Sequence, residues 1–337
     1  MSQKKLSKAR ISTIVITAVT AVVVVVLIIL NLFVPVKYLA SYCVARNQGA
    51  KDGVMRVRFV DVGYGDCTII ELPDGKNMLI DGGNGSSSNQ KRILKFLNKC
   101  DINTIDYLVC TSVASENCGG LHEILSYKKV KRIFMPYCSN YFINDAYHNF
   151  VVTAASLNCD RVVSQYATGE VNDENGYFFT FLSPSVRTNP DSEYNGLTGN
   201  PTAEQIGDAS AVLWLEYSGV SFLFTSGVTD NVLKKICEEY AINGGSYALQ
   251  GGRSVNLGSC KVLQVPSHGN GNAAYAPFYS LTNPETAVLT VGKNGFDCPS
   301  TSVLSNVLEC TGNENFYRTD LHGTVTIEVN KDGYSVV

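Results

Sequence analysis

Between Ile11 and Val36 the chain runs for 26 residues without one charged side chain, and its middle, Val22 to Leu30, is made only of Val, Leu and Ile. A helix of about 20 apolar residues crosses the hydrocarbon of a bilayer, so no wholly soluble fold accounts for this segment. Residues 11–36 are therefore expected to form one transmembrane helix. A cleaved signal peptide has a shorter apolar region, roughly 7–15 residues, followed by a small-x-small site. Here the stretch ends in Phe33-Val34-Pro35-Val36-Lys37-Tyr38, and the later Leu39-Ala40-Ser41-Tyr42-Cys43 is a poor lipoprotein site because Tyr precedes the Cys. Lys4, Lys5, Lys8 and Arg10 precede the stretch and only Lys37 follows closely. The positive-inside bias makes residues 1–10 a basic cytoplasmic tail, residues 37–53 a tether, and residues 54–337 an extracytoplasmic body on the cell membrane.

From Val44 onward there are 22 basic residues against 30 acidic ones, a net charge near −8. Binding to a phosphate backbone draws on Lys and Arg to release counterions, so nucleic acid is not an expected partner of such a body unless its few basic residues share one face. The eleven cysteines include no CxxC pair. They read mostly as small buried hydrophobes, with one or two disulfides open to an oxidising compartment.

Alternation of apolar and basic residues over 54–60 predicts a strand, followed by a hairpin from 67–72 to 77–80 around Pro73-Asp74-Gly75-Lys76. A helix is predicted at 88–99, strands at 107–110 and 133–136, and a helix after Gly119-Gly120. The second half repeats this grammar, with strands at 177–182, 211–217, 221–225, 262–265, 287–291 and 324–329 and helices at 146–157, 232–240 and 302–309. Residues 185–207, rich in Asn, Gly, Pro and Ser, are expected to be an exposed loop. Hairpins mixed with strand-helix alternation in both halves predict two mixed sheets covered by helices, a four-layered α/β sandwich.

Phe59-Val60-Asp61-Val62-Gly63-Tyr64-Gly65-Asp66-Cys67, then Pro73-Asp74-Gly75 and Leu79-Ile80-Asp81-Gly82-Gly83, resemble the opening of the metallo-β-lactamase-like domain of ComEC-type competence proteins, written D-V-G-Q-G-D, P-D-G and L-I-D-G-G. The resemblance continues through Ile105–Thr111, Gly119-Gly120-Leu121, Ser221–Thr225, Val262–Gly269, Val291–Asn294 and Tyr317–Asp320 to Gly323-Thr324-Val325. It covers the chain from Val54 onward and implies an αββα metallo-β-lactamase-like sandwich preceded by one transmembrane helix. It also implies a site where two divalent metals, held by His and Asp at strand ends, activate a bridging hydroxide.

The ligand stations of this chain depart from that pattern. The family's T-H-x-D-x-D-H-x-G-G reads here Thr111-Ser112-Val113-Ala114-Ser115-Glu116-Asn117-Cys118-Gly119-Gly120. Its T-G-D is Thr225-Ser226-Gly227, its P-H-H-G is Pro266-Ser267-His268-Gly269, and its late G-H-P is Asp297-Cys298-Pro299. Ser112, Ala114, Glu116, Asn117, Gly227, Ser267, His268 and Cys298 thus occupy degenerate stations. Neutral Ser, Ala, Asn and Gly do not offset the dehydration of two divalent ions, so no metal cofactor is expected. Asp66 and Asp81 fit structural roles in Gly-rich turns, where Asp caps backbone amides. His268 fits a hydrogen-bonding core residue, and Tyr64, where the family has Gln, fits a filler of the vacated cavity. His122, His148 and His322 fall outside the stations.

Two functions remain. One is a pseudoenzyme that binds an unknown extracytoplasmic ligand or protein. The other is a divergent phosphodiesterase-like hydrolase using zinc or manganese, with Asp66, Asp81, Glu116 and His268 as catalytic candidates and a rearranged site that includes Cys298. A new mononuclear zinc site from Glu116, Cys118, His268 and Cys298 is a variant of the second.

Overall fold

The computed structural model describes residues 8–33, 36–184, 197–248 and 253–337. The apolar stretch is one helix, Lys8–Phe33, and its window Ser12–Asn31 is long and apolar enough to cross a membrane, with none of it buried against the rest of the protein. Residues 1–7 of the basic tail and residues 34–35 lie outside the described residues.

In chain order the strands are β1 (Met55–Phe59), β2 (Thr68–Glu71), β3 (Asn77–Ile80), β4 (Thr104–Val109), β5 (Lys129–Met135), β6 (Asp160–Val163), β7 (Gly169–Asn172), β8 (Tyr177–Ser183) and β9 (Val212–Tyr217). They continue as β10 (Val220–Phe224), β11 (Tyr247–Ala248), β12 (Ser254–Val255), β13 (Val262–Gln264), β14 (Thr286–Leu289), β15 (Phe316–Arg318), β16 (Val325–Asn330) and β17 (Gly333–Val336). One sheet is ordered β17-β16-β1-β2-β3-β4-β5-β6 and the other β15-β14-β13-β10-β9-β8-β7. In each sheet a parallel half adjoins antiparallel hairpins. Parallel neighbours need a crossover, and helices supply it: Ser87–Lys99, Leu121–Tyr127 and Asp145–Ala155 in the first sheet, Asp230–Ile242, Ala276–Thr282 and Thr301–Thr311 in the second.

Alternation along the strands builds three apolar layers. Met55, Val57 and Phe59 of β1 meet Tyr177, Phe179 and Phe181 of β8 and Leu213 and Leu215 of β9 between the sheets. The opposite faces meet helices, Ile69 against Ile93 and Leu97 on one side, Phe178 and Trp214 against Leu233 and Ile236 on the other. The protein is a four-layered αββα sandwich preceded by one apolar helix.

Two expectations are corrected. Of the loop expected at 185–207, residues 185–196 lie outside the described residues, but Ala203–Asp208 is a helix: Thr202 and Gln205 form a capping box that satisfies its first amides. Edge strands β6, β7, β15 and β17 were missed because they are short and partly exposed, without the buried face that makes alternation visible. The eleven cysteines are all free, six of them buried.

Residues 37–48, read from sequence as part of a tether, lie against the domain. Tyr38 is 1% exposed and its ring meets Tyr127 edge-on at 5.7 Å. Lys37 pairs with Glu123 at 2.9 Å, Ser41 Oγ donates to the Lys91 carbonyl, and Asn98 Nδ2 donates to the Ser41 carbonyl. The Gln48 carbonyl accepts from both Arg56 and Arg58 at 2.6 Å, and Arg58 is also held in a buried pair with Glu71.

Candidate functional site

The C-terminal ends of β3, β4, β10, β13 and β14 open toward one edge of the sandwich, and the residues that follow them converge there. Asp81 follows β3, Thr111 follows β4, Ser226 follows β10, Ser267 and His268 follow β13, and Thr290 follows β14. Asp66 enters from the turn before β2. Asp81, Ser226, Ser267 and His268 all have positive φ, between 46° and 60°, a region that non-glycine residues seldom occupy.

Glycines hold these turns together by backbone contact. A Cβ on Gly120 would lie 2.2 Å from the Gly82 carbonyl oxygen, and one on Gly292 would lie 2.3 Å from Gly63 Cα. The second contact locks the loop bearing Tyr64 to the loop bearing Phe296. Gly292→Ala must force two backbones apart and is expected to cost about 1–3 kcal/mol, read as a lower urea midpoint at unchanged slope. An unchanged midpoint would mean that the loops are not locked.

At the centre two buried carboxylates share one amide. Asn117 Nδ2 lies 3.0 Å from Asp66 Oδ2, 2.9 Å from Asp81 Oδ2 and 2.8 Å from Ser226 Oγ. Asp81 also accepts from the Thr111 amide at 2.8 Å and the Thr111 hydroxyl at 2.6 Å. Asp66 accepts from Gln264 Nε2 at 3.0 Å and from the Thr290 hydroxyl at 2.5 Å. Burial, and then the charge of Asp66, push the Asp81 carboxyl up to about 7, against the opposing pull of the Thr111 and Asn117 hydrogen bonds.

His268 Nδ1 donates to the Thr290 carbonyl at 2.9 Å and lies 3.7 Å from Asp66 Oδ1. Its Nε2 is buried without a hydrogen-bond partner among the described residues, as is Asn117 Oδ1. The Tyr64 ring sits 4.6 Å from the imidazole and 5.1 Å from Phe296. Burial pushes the Tyr64 phenol up, so it remains a neutral hydroxyl.

Above this network lies a cleft of about 350 Å³ whose walls include Tyr64, Glu116, Asn144, Ser267, His268 and Phe296. Ser112, Ala114, Asn117 and Gly227 also line it, so the structure brings most sequence-named stations to one place. A Cβ on Gly227 would point to within 3.6 Å of Asn117 Oδ1, the direction from which the implied bridging carboxylate would come. Cys118 is excluded: two residues along a helical turn from Glu116, it faces the core, with its thiol toward the Val113 carbonyl. The Cys298 thiol lies toward the Phe296 carbonyl and does not line the cleft.

This donor set does not fit two divalent cations. Both buried carboxylates are committed to neutral donors, five stations are Ser, Ala, Asn and Gly, Cys298 is turned away, and among the described residues Glu116 and His268 belong to no group of three or more His, Cys, Asp or Glu placed to hold a metal ion. Thr111, Ser226, Gln264 and Thr290 were not singled out from sequence. Thr111, Ser226 and Thr290 share one signal, a hydroxyl residue that comes after an apolar strand run.

No family model matches the chain. It is 25% identical to ComE operon protein 3 of Bacillus subtilis (strain 168) over 285 residues, which are 80% of this chain and 32% of that protein; the chain thus spans about a third of that relative's length. Among solved structures, the metallo-β-lactamase fold protein YhfI from Bacillus subtilis aligns with a TM-score of 0.48 at 10% identity, over 82% of this chain and all of that one. Tm1679, a metal-dependent hydrolase of the β-lactamase superfamily, aligns with a TM-score of 0.46 at 12% identity, over 79% of this chain and 95% of that one. Sequence similarity along most of its length and two helix-covered mixed sheets support a metallo-β-lactamase-like domain similar to the ComEC type.

Proposed function

We propose that the protein is a membrane-anchored, extracytoplasmic pseudoenzyme whose cleft binds a ligand or a partner without hydrolysing it. The observation that carries this reading is the Asn117 amide lying between the Asp66 and Asp81 carboxylates, where a cation would otherwise balance them. Without a cation to lower the pKa of water from about 15.7 toward 7, the cleft has no strong nucleophile to offer. A volume of about 350 Å³ is at the small end of ligand pockets. The anchor is the helix Lys8–Phe33, oriented by the basic residues before it. Nucleic acid is not among the proposed ligands: Glu116 is the one acidic wall residue that the cleft presents beside His268, and it repels phosphate.

A rearranged hydrolase is favoured by one observation, the free Nε2 of His268 in the same cleft as Glu116. One set of measurements separates the two. The purified chain is expected to hold less than one equivalent of zinc or manganese by elemental analysis, to keep its melting temperature in chelator, and to turn over bis(p-nitrophenyl) phosphate no faster than the blank. Glu116→Ala and His268→Ala then alter nothing catalytic. Two tightly held metals per chain, or a rate that falls with either substitution, would replace the pseudoenzyme with the hydrolase.

A further inference from the structure

The helix Ser87–Lys99 carries Lys91, Lys95 and Lys99 at successive four-residue steps, so the three share one face. Like charges at that spacing destabilise a helix, and among the described residues no acidic side chain pairs with any of them. Lys91 and Lys95 are exposed, and so is Lys129 beyond the end of the neighbouring helix Leu121–Tyr127. In a body of net charge near −8, such a concentration of lysines calls for a negative partner.

The chain's path indicates where this face lies. Residues 37–48 pack beside it and leave Lys91 and Lys95 exposed: the Ser41 hydroxyl donates to the Lys91 carbonyl, the Gln48 amide to the Lys99 carbonyl, and Lys128 Nζ stands 5.7 Å from the Tyr42 ring. Tyr38, buried in the domain, comes only five positions after Phe33, the last residue of the apolar helix. At about 3.3–3.6 Å per residue that connection spans at most about 18 Å. The headgroup layer takes up roughly 5–8 Å of it. The remainder is little more than a Debye length of about 8–10 Å, within which an anionic surface acts on lysine.

We infer that the Lys91-Lys95-Lys99 face, with Lys129, rests on the anionic phospholipid headgroups of the membrane that the N-terminal helix enters. This rests on the anchoring proposed above. The docking would hold one side of the first sheet's helical layer against the bilayer and leave the helix Asp230–Ile242, on the outer face of the second sheet, pointing away.

The test is lysine acylation of the full chain in vesicles, read by mass spectrometry, with Lys234 on the far helix as internal reference. In vesicles with about one-third phosphatidylglycerol at 0.1 M salt, labelling of Lys91 and Lys95 relative to Lys234 should fall at least about fivefold, the factor that corresponds to about 1 kcal/mol per lysine near such a surface. The protection should vanish in 1 M salt and in pure phosphatidylcholine. The double substitution Lys91→Glu and Lys95→Glu, which touches no buried atom, should leave circular dichroism unchanged and free Lys99 to react. Equal labelling in both lipids would overturn the docking while leaving the anchor intact. Release of the chain by alkaline carbonate would fell the anchor, and the docking with it. Protection of the same lysines by duplex DNA in detergent, without protection by anionic vesicles, would assign the face to nucleic acid and overturn the inference.

Discussion

Asn117→Asp is expected to turn a network held by neutral hydrogen bonds into one that demands a cation. The substitution removes the Nδ2 donor from between Asp66 and Asp81 and puts a third carboxyl group among buried oxygens. Breaking the partner of a buried charge costs about 3–5 kcal/mol, so in chelator the variant should unfold at markedly lower urea than the parent. Zinc or manganese at a hundred times its dissociation constant should return about 2.7 kcal/mol, while the parent protein gains nothing. Asn117→Leu separates the two effects, since it loses the same hydrogen bonds without adding charge and should be weakened with metal and without it. If Asn117→Asp were as stable as the parent in chelator, or indifferent to metal, the amide would not be the group that balances the two carboxylates.

The second large effect is on pH dependence. With its carboxyl pushed up to about 7 in the folded protein and an ordinary value near 3.9 when unfolded, Asp81 holds its proton more tightly in the native state. Its contribution is therefore fully present below about pH 4 and is lost as pH rises to 7, because the unfolded chain releases the proton first. The loss is on the order of 4 kcal/mol, since each pH unit between the folded and unfolded values is worth about 1.36 kcal/mol. Asp81→Asn should abolish that part of the slope, and Asn tolerates the φ of 60° at this position. The measurement is the difference between parent and variant in urea stability from pH 4 to 8. A constant difference would show that Asp81 is already ionised at pH 4.

The stations were legible from sequence because what fixes them is backbone. Gly120 must pass Gly82 and Gly292 must pass Gly63 without a Cβ, so those residues persist where the metal-ligand side chains do not, and their spacing reveals the fold. The apolar helix was legible for a similar reason, since every side chain in it obeys one rule. What stands among the implied ligand stations was not legible. Asn117 reads in sequence only as a lost ligand, and its bridging role appears when residues 66, 81, 117 and 226, from four separate segments of the chain, meet within hydrogen-bond distance. Thr111, Gln264 and Thr290 are ordinary residue types whose importance comes from burial beside a charge, which no local pattern announces. The close packing of residues 37–48 was hidden likewise, because Tyr38 and Ser41 find their partners some 50 to 90 residues away.

The packing of Tyr38 against the domain, only five positions after Phe33, also bears on mass action. A domain on a long flexible linker samples a large volume, and a partner in the same membrane meets it at a correspondingly dilute level. On the proposed anchor, a domain that packs onto the chain within five residues of the apolar helix stays close to the bilayer. For a partner held in the same layer, binding becomes nearly intramolecular, with effective concentrations on the order of millimolar. A cleft of weak intrinsic affinity would then be well occupied by a membrane-bound partner and almost empty toward the same group free in solution.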